Sequence, residues 1–295
     1  MRGLVLAAVL VVLAGPVAAQ TGGTPPVMSP EMMQARDDFA AGRHAQALIV
    51  LRPAAEAGDS FAQLVLGIAY EDGLGVTADP TRAAGWYRRA AGQGLAAAMF
   101  NLGNILRDGR PGLPAAPAEA RRWFAGAAAR GYRPAHADYG RMLEHGAGGA
   151  VDLPGAVAQY EAGRVAGDPW AAEYLAQLYL RGSGVAEDLP RARALFDEAG
   201  RGGIAQSQNN LAVLIERGLG GPADPEAARA LYARALEAGY ARAGFNLAWM
   251  LFAAATETPG RAEAAAVCAR ALDLATPDEH AEWGADCAGM AQAAR

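Results

Sequence analysis

The sequence contains no lysine, so all 26 of its basic residues are arginines. Active sites that depend on a lysine are therefore excluded. These include the sites of serine β-lactamases, which carry it in S-x-x-K and K-T-G elements. Histidine and cysteine are scarce, at four and two residues, and no two histidines lie four residues apart. Since zinc enzymes need clustered imidazole or thiolate ligands, we predict no metal site, no cofactor and no catalytic residue.

Positive charge is in deficit: 26 basic residues stand against 31 acidic ones, which gives a formal net charge of −5 at pH 7. The arginines form no basic run, whereas nucleic-acid-binding proteins concentrate positive charge on one surface. We therefore predict no nucleic-acid partner. Aromatic residues make up only 7% of the chain, while alanine is abundant and 37 residues are glycine. This composition suits helices that pack closely through small side chains.

A long hydrophobic run occurs only at the start of the chain. Arg2 is followed by the unbroken apolar run Leu4–Ala14, and the small residues Val17–Ala19 follow a Gly-Pro break. This order is typical of a secretory signal peptide, and the run is too short for a permanent membrane span. We predict a signal peptide over residues 1–19, cleaved after its last residue, and a flexible leader over 20–28. The alternative is a buried hydrophobic helix.

The two cysteines, Cys268 and Cys287, lie nineteen residues apart near the end of the chain. In an oxidising compartment we expect a disulfide between them, which would stabilise the terminal helices by about 3 kcal/mol. The alternative is two separate buried thiols. A redox-active pair is disfavoured because the C-x-x-C spacing is absent.

Glycine recurs along the chain in steps of 36 or 37 residues. A fixed period of this size is typical of stacked supersecondary units rather than of one globular core. Repeat architectures of this kind usually bind other molecules along an extended surface. The recurring glycines are Gly58, Gly94, Gly131, Gly167, Gly203 and Gly239.

The clearest repeat is Ala62–Gly94, AQLVLGIAYEDGLGVTADPTRAAGWYRRAAGQG. Leu66 and its apolar neighbours recur at helical spacing, and Gly73 then ends the first helix. Asp79, followed by a proline, is placed to cap a second helix, whose apolar stripe includes either Trp86 or Tyr87. Each repeat is therefore predicted to be a helix hairpin.

This repeat resembles the Sel1-like repeat family, which is related to the tetratricopeptide repeats. The resemblance depends on A-x-x-x-L-G-x-x-Y-x-x-G-x-G-V-x-x-D and W-Y-x-x-A-A-x-x-G, and covers roughly residues 30–255. It implies an all-α fold, a right-handed α/α superhelical solenoid. We assign an N-terminal capping hairpin to 29–58, five repeats to 59–240 and C-terminal capping helices to 241–295.

The resemblance also implies a non-catalytic adaptor that binds a protein or peptide, and for an exported bacterial member a periplasmic or secreted location with a regulatory role. In tetratricopeptide arrays the first helix of each hairpin lines the concave face. Transferring that geometry predicts a partner-binding set of Phe100, Asn104, Arg107, Arg141, Glu144, Glu173, Gln177, Asn209 and Glu216.

Two alternatives to the protein scaffold remain. A peptidoglycan- or glycan-binding module would use Trp170, Trp249 and Trp283 as stacking platforms. The scaffold is favoured because the aromatic residues are not regularly repeated along the groove. Action on β-lactams, which is associated with some exported members of the family, is disfavoured by the absence of lysine. The apolar residues Phe245, Trp249 and Phe252 are interpreted as packing under the C-terminal cap.

Overall fold

The computed structural model describes residues 28–295. The predicted signal peptide and residues 20–27 of the predicted leader lie outside the described residues. The described part consists of fifteen α-helices without a strand, which confirms the predicted all-α class. In chain order they are α1 (Pro30–Ala40), α2 (His44–Glu56), α3 (Ser60–Asp72), α4 (Pro80–Gly92), α5 (Ala96–Asp108), α6 (Pro117–Ala128), α7 (Arg133–His145), α8 (Leu153–Val165), α9 (Pro169–Arg181), α10 (Leu189–Arg201), α11 (Ala205–Glu216), α12 (Pro225–Glu237), α13 (Ala241–Ala254), α14 (Thr258–Leu274) and α15 (Pro277–Ala293).

The chain divides into two compact units, of which the first ends at Gln159 and the second runs from Tyr160 to Arg295. Within the first unit α1–α2, α3–α4 and α5–α6 form helix hairpins, and each hairpin packs against the next helix along the chain. Within the second unit α9–α10, α11–α12 and α13–α14 do the same, and α15 packs on α14. Consecutive hairpins of this kind are the architecture predicted for a helical solenoid.

Aspartate caps begin α4, α10 and α12, as the sequence predicts. The carboxylates of Asp79, Asp188 and Asp224 accept hydrogen bonds from backbone N–H groups three residues on, at 3.0, 2.9 and 3.0 Å. A proline occupies the first turn of each of these helices, where its missing N–H costs nothing. At the opposite end of α3, Gly73 adopts the left-handed conformation at φ 70° and ends the helix, a conformation that L side chains rarely adopt.

The two helices of a hairpin approach closely through a small residue. A Cβ atom placed on Gly67 of α3 would lie 2.3 Å from the ring of Tyr87 on α4, and one on Gly103 of α5 would lie 2.8 Å from Phe124 on α6. Both rings are fully buried. The small residue in the Leu-Gly pair therefore makes room for the aromatic ring that fills the centre of each hairpin.

The second unit closes with the predicted disulfide, which joins Cys268 of α14 to Cys287 of α15 with the two Cα atoms 5.5 Å apart. Both sulfur atoms lie in an apolar cluster with Met290 and with Phe245 of α13. None of the helices over residues 28–295 combines the length and the apolar character needed to cross a membrane.

Candidate partner-binding surface

The predicted partner-binding residues lie on α5 and α7 of the first unit and on α9 and α11 of the second. Of these, α5, α9 and α11 are the first helices of their hairpins. Their side chains differ widely in burial and in hydrogen bonding, so the structure separates residues that hold the fold together from residues that a partner can reach.

In the first unit, Arg107 joins α5 to α7. Its guanidinium lies 2.7 Å from the carboxylate of Asp108 and 2.7 Å from that of Asp138, and 5.7 Å from the centre of the Phe124 ring. The hydrogen bond from Arg107 lowers the pKa of Asp108, whereas desolvation raises the pKa of the more buried Asp138. The charge of Arg107 is thus engaged within the unit.

The other predicted residues of the first unit differ from one another in how far they are exposed. Phe100 is half-buried, and its ring centre lies 5.6 Å from that of Phe124 and 5.2 Å from that of Tyr132. Asn104 and Glu144 are half-buried and Arg141 is exposed. Of this set, Arg141 is the residue most accessible to a partner.

In the second unit, Glu173 of α9 is completely buried, although the sequence places it on the binding face. Its carboxylate accepts hydrogen bonds from the Gln177 Nε2 at 2.8 Å, from the Asn210 Nδ2 at 3.2 Å and from the Ser207 hydroxyl. Burial raises the pKa of Glu173, since these neutral donors only partly replace water. The structure therefore corrects the prediction: Glu173 organises polar neighbours and does not itself reach the surface.

Asn209 of α11 is also inside, with 3% of its surface exposed. Its Oδ1 accepts a hydrogen bond at 2.9 Å from the Nδ2 of Asn246 on α13, and its Nδ2 lies 3.4 Å from the Oδ1 of Asn210. The hydrogen bonds therefore run across three helices. We call this set the amide row: Glu173, Gln177, Ser207, Asn209, Asn210 and Asn246.

Two aromatic side chains stand beside the amide row. Trp170 of α9 is 46% exposed and stacks on Tyr174 with ring centres 6.0 Å apart. Trp249 of α13 is 43% exposed and meets Phe245 edge to face at 6.4 Å. Because residues three, four and seven apart share one side of a helix, Trp170 lies on the same side of α9 as Gln177, and Trp249 on the same side of α13 as Asn246.

The sequence prediction included Gln177, which is half-buried at this surface, but it omitted Asn210, Asn246 and Tyr174, which are half-buried too. A signal for them exists. Each of them directly precedes the leucine of the Leu-Ala pair in one of three successive first helices. They therefore occupy equivalent positions, and their side chains line up from one hairpin to the next.

Glu216 of α11 has a structural partner. Its carboxylate accepts a hydrogen bond at 2.8 Å from the hydroxyl of Tyr232 on α12, and Glu71 accepts one at 2.8 Å from Tyr87 in the same way. Burial, followed by the hydrogen bond to Glu216, raises the pKa of Tyr232. Each glutamate therefore satisfies the hydroxyl of a buried tyrosine sixteen residues later.

Trp283, a candidate stacking platform, is 1% exposed. Its ring lies parallel to that of Phe245 at 4.8 Å, under the guanidinium of Arg242 at 5.1 Å. It packs inside the C-terminal helices because its large apolar ring fills the space between α13 and α15. The interpretation that Phe245 and Phe252 pack under the cap fits this contact and the cluster around the disulfide. For Trp249 it is wrong, since 43% of that side chain is exposed.

Residues 28–295 contain no group of three or more His, Cys, Asp or Glu side chains that could hold a metal ion. What the surface of α9, α11 and α13 offers is hydrogen-bonding amides beside exposed indole rings.

Comparison with known proteins identifies the repeat. The Sel1 repeat matches residues 60–95, 96–132, 133–158, 171–204 and 205–240, together more than half of the chain. The chain belongs to the Sel1 repeat family. Proteins of this family are generally protein-interaction scaffolds and typically non-catalytic.

Solved structures agree with this assignment. A Sel1 repeat protein from Oxalobacter formigenes is 27% identical with a TM-score of 0.69, over 75% of this chain and 87% of that one. The protective antigen c5321 of uropathogenic Escherichia coli, described as displaying an SLR fold, is 27% identical with a TM-score of 0.72. The alignment with c5321 covers 82% of this chain but only 57% of that chain. No curated protein matches the sequence.

Proposed function

We propose that this Sel1 repeat protein is an exported, non-catalytic scaffold of the bacterial envelope that holds a segment of a partner protein against the amide row. The observation that supports the proposal is the row of amides between two exposed tryptophans on α9, α11 and α13. The predicted signal peptide supports a periplasmic or secreted location, and membership of the Sel1 repeat family supports a partner that is a protein.

The chemistry of the amide row fits an extended peptide. A peptide backbone presents alternating donors and acceptors, and a carboxamide side chain can satisfy either kind. Gln177, Asn210 and Asn246 are half-buried and are held in position by hydrogen bonds to Glu173 and Asn209. Side chains that are already ordered lose little conformational entropy when a ligand binds.

The tryptophans supply the apolar part of such an interface. Trp170 and Trp249 are large, partly exposed and held by ring contacts to Tyr174 and Phe245. Rigid aromatic anchors of this type contribute a large part of the binding free energy in protein interfaces. The glycan alternative retains these two residues but loses Trp283, which is buried, so a regular series of stacking platforms is not available.

The experiment is photo-crosslinking of the tagged protein in envelope fractions, followed by mass spectrometry. The test variant combines Trp170→Ala with Trp249→Ala. A matched control combines Val165→Ala with Leu274→Ala, which removes apolar side chains of 74% and 45% exposure from other helices of the same unit. We expect a discrete protein that crosslinks to the parent and to the control but not to the tryptophan variant.

Two results would contradict the proposal. One is a protein partner that is captured equally well by the tryptophan variant, which would place the interface elsewhere. The other is loss of binding on addition of isolated cell wall, with peptidoglycan recovered in place of a protein. The second result would favour the glycan-binding module.

A further inference from the structure

The first unit contains a groove between α2 and α4, the second helices of its first two hairpins. Its volume is about 460 Å³, and Tyr70 of α3 is one of the residues that line it. Three guanidinium groups line the groove, those of Arg52, Arg82 and Arg89, together with one carboxylate, that of Glu56. We call it the arginine groove. It is a site of local positive charge in a chain with a net charge of −5.

Two of the three arginines are held by aromatic rings. The guanidinium of Arg89 lies 4.5 Å from the centre of the Trp86 ring, and that of Arg82 lies 5.6 Å from the centre of the Tyr70 ring. Stacking on a ring orders a guanidinium while leaving N–H groups at its edge free to donate. Arg82 also lies 3.2 Å from the carboxylate of Asp79, which offsets one of the three charges.

Arg52 has no such partner. Its side chain is exposed on α2, and within residues 28–295 it forms no hydrogen bond and no ion pair. Glu56, one turn further along α2, is also outside ion-pair distance of the groove arginines. The groove therefore holds an excess of positive charge that the described part of the chain leaves uncompensated.

Two other grooves between second helices hold an ion pair at the positions that correspond to Arg52 and Arg82. In the next groove of the first unit, the residues at the positions of Arg52 and Arg82 are Arg88 and Glu119, which form an ion pair at 3.2 Å. In the second unit the corresponding pair is Glu161 and Arg191, at 4.0 Å. At these two places an arginine on one second helix meets a carboxylate on its neighbour. Within residues 28–295, the arginine groove is the one place where two arginines occupy the paired positions.

We propose that the arginine groove binds an acidic peptide segment of a partner protein, whose Asp or Glu carboxylate takes the place of the missing internal counter-ion. Guanidinium edges pair well with carboxylates through two parallel N–H···O bonds. The internal counterparts in those two grooves, Glu119 and Glu161, are themselves glutamate side chains, so the geometry of the repeat can accommodate this group.

Two features favour a peptide over a phosphate group or an anionic membrane. Glu56 lines the groove and would repel a dianion more strongly than a single carboxylate. Gly85 of α4 also lines it, and a Cβ atom there would meet nothing within 4 Å. The backbone of α4 is therefore open to close approach by a chain that lies along the groove.

This site is in the first unit and shares no residue with the amide row in the second, so the two proposals fail independently. The test begins with a random dodecapeptide library displayed on phage, selected against the purified chain after removal of all phage that bind the Arg52→Glu variant. We expect the retained peptides to be enriched in Asp or Glu next to an apolar residue. Fluorescence anisotropy with the most enriched peptide then measures affinity.

Three variants test whether the measured peptide affinity depends on the arginine groove. Arg52→Glu introduces the residue that stands at the equivalent position in the second unit, so it is expected to pair with Arg82, to fold normally and to weaken binding by more than about tenfold. Gly85→Leu fills the groove without changing charge and should weaken binding as well. Arg122→Glu makes the same charge change at an exposed position of α6 and should leave the affinity within about twofold.

Retention of non-acidic peptides, or of none, overturns the proposal. So does an affinity that falls equally with Arg52→Glu and with Arg122→Glu, since that would indicate only a general effect of net charge. Phosphatidylglycerol vesicles and inorganic phosphate are titrated in parallel. If either binds through Arg52 while the peptides do not, the groove is an anion site of another class and the peptide assignment is wrong.

Discussion

Gln63 and Gln208 occupy the same position in two repeats, three residues before the leucine of the Leu-Gly or Leu-Ala pair. Each donates its Nε2 to a backbone carbonyl eight residues earlier, that of Ala55 or of Gly200, at 3.0 Å. The Oε1 of Gln63 accepts a further hydrogen bond at 2.8 Å from Gln93. The buried Oε1 of Gln208 has no hydrogen-bond partner within the described residues. An unsatisfied buried acceptor costs about 1–3 kcal/mol.

The substitution Ala238→Gln is expected to supply the missing donor. Ala238 stands where Gln93 stands in its repeat, each being the residue that follows the second helix, with φ and ψ of −76° and 5° against −84° and 1°. The new amide would reach Gln208, and we expect the free energy of unfolding to rise by about 1 kcal/mol. Urea denaturation measures the change.

Two further variants show whether a gain in stability comes from the new hydrogen bond. Gln93→Ala removes the donor from the equivalent site and should lower the stability by a similar amount. Ala238→Leu adds a side chain of similar size without an amide and should leave stability unchanged. An equal gain from leucine and glutamine would show that the effect comes from the helix end and not from the hydrogen bond.

At the scale of single residues, the sequence predicts core positions and helix caps better than it predicts the hydrogen-bond partner of a side chain. The apolar residues of each helix follow from spacing alone, and the aspartate caps were found in the same way. The burial of Glu173 could not be found, because spacing assigns a residue to a face of one helix but does not show which donors the next helix brings to it. The pairing of Glu216 with Tyr232 has a visible signal. The sixteen-residue separation recurs as Glu71 with Tyr87 and as Glu144 with Tyr160.

Helices α3 and α4 show how the elements depend on one small residue. Gly67 lies against the ring of Tyr87, and that ring is fixed because it is fully buried and its hydroxyl donates to Glu71 at 2.8 Å. A methyl group at this position cannot be accommodated by moving the end of a flexible side chain. In later repeats the same position is Ala212 or Ala248, so those hairpins already accommodate a methyl group there.

We expect Gly67→Ala to destabilise the first unit by about 1–3 kcal/mol, the usual cost of overpacking a core. This sign is opposite to the intrinsic preference of a helix for alanine, which favours the substitution by about 1 kcal/mol. Gly85→Ala is the matched control, since a Cβ there meets nothing within 4 Å, and it should stabilise the protein. Thermal denaturation of the two variants distinguishes packing from propensity, and a gain in both would contradict the close approach.

The repeat boundaries, turns and caps were predictable at the level of elements because each depends on local sequence. Gly73 ends α3 and Asp79 begins α4, as the pattern indicates. The arginine groove was not predictable, since it arises between neighbouring second helices whose separation no local pattern encodes. Comparing Arg52 with Glu161 becomes informative only once both are known to line the space between two second helices.

At the scale of the molecule, the two compact units are stabilised differently. The described part of the chain contains one disulfide, between Cys268 and Cys287, and it lies in the second unit. The first unit depends on packing and hydrogen bonds. Removal of the disulfide should therefore act on the end of the second unit rather than on the whole chain.

We expect the double variant Cys268→Ala, Cys287→Ala to lose about 3 kcal/mol of stability, the amount associated with opening a loop of this length. Hydrogen exchange followed by mass spectrometry should show faster exchange in peptides from α14 and α15. Peptides from α1 to α7 serve as the internal control and should keep their protection. A uniform loss of protection over both units would contradict local stabilisation.

The tyrosine–glutamate pairs have a consequence for how such a chain changes over evolutionary time. Glu71 and Tyr87 belong to one hairpin, as do Glu216 and Tyr232, so each of these two hydroxyls has a hydrogen-bond acceptor within its own hairpin. A duplication or deletion of one 36-residue segment therefore copies or removes both members of a pair together. Neither the hydroxyl nor the carboxylate is left without its partner. Genes encoding such proteins can therefore lengthen or shorten their product in whole steps without separating one of these buried tyrosine hydroxyls from its glutamate.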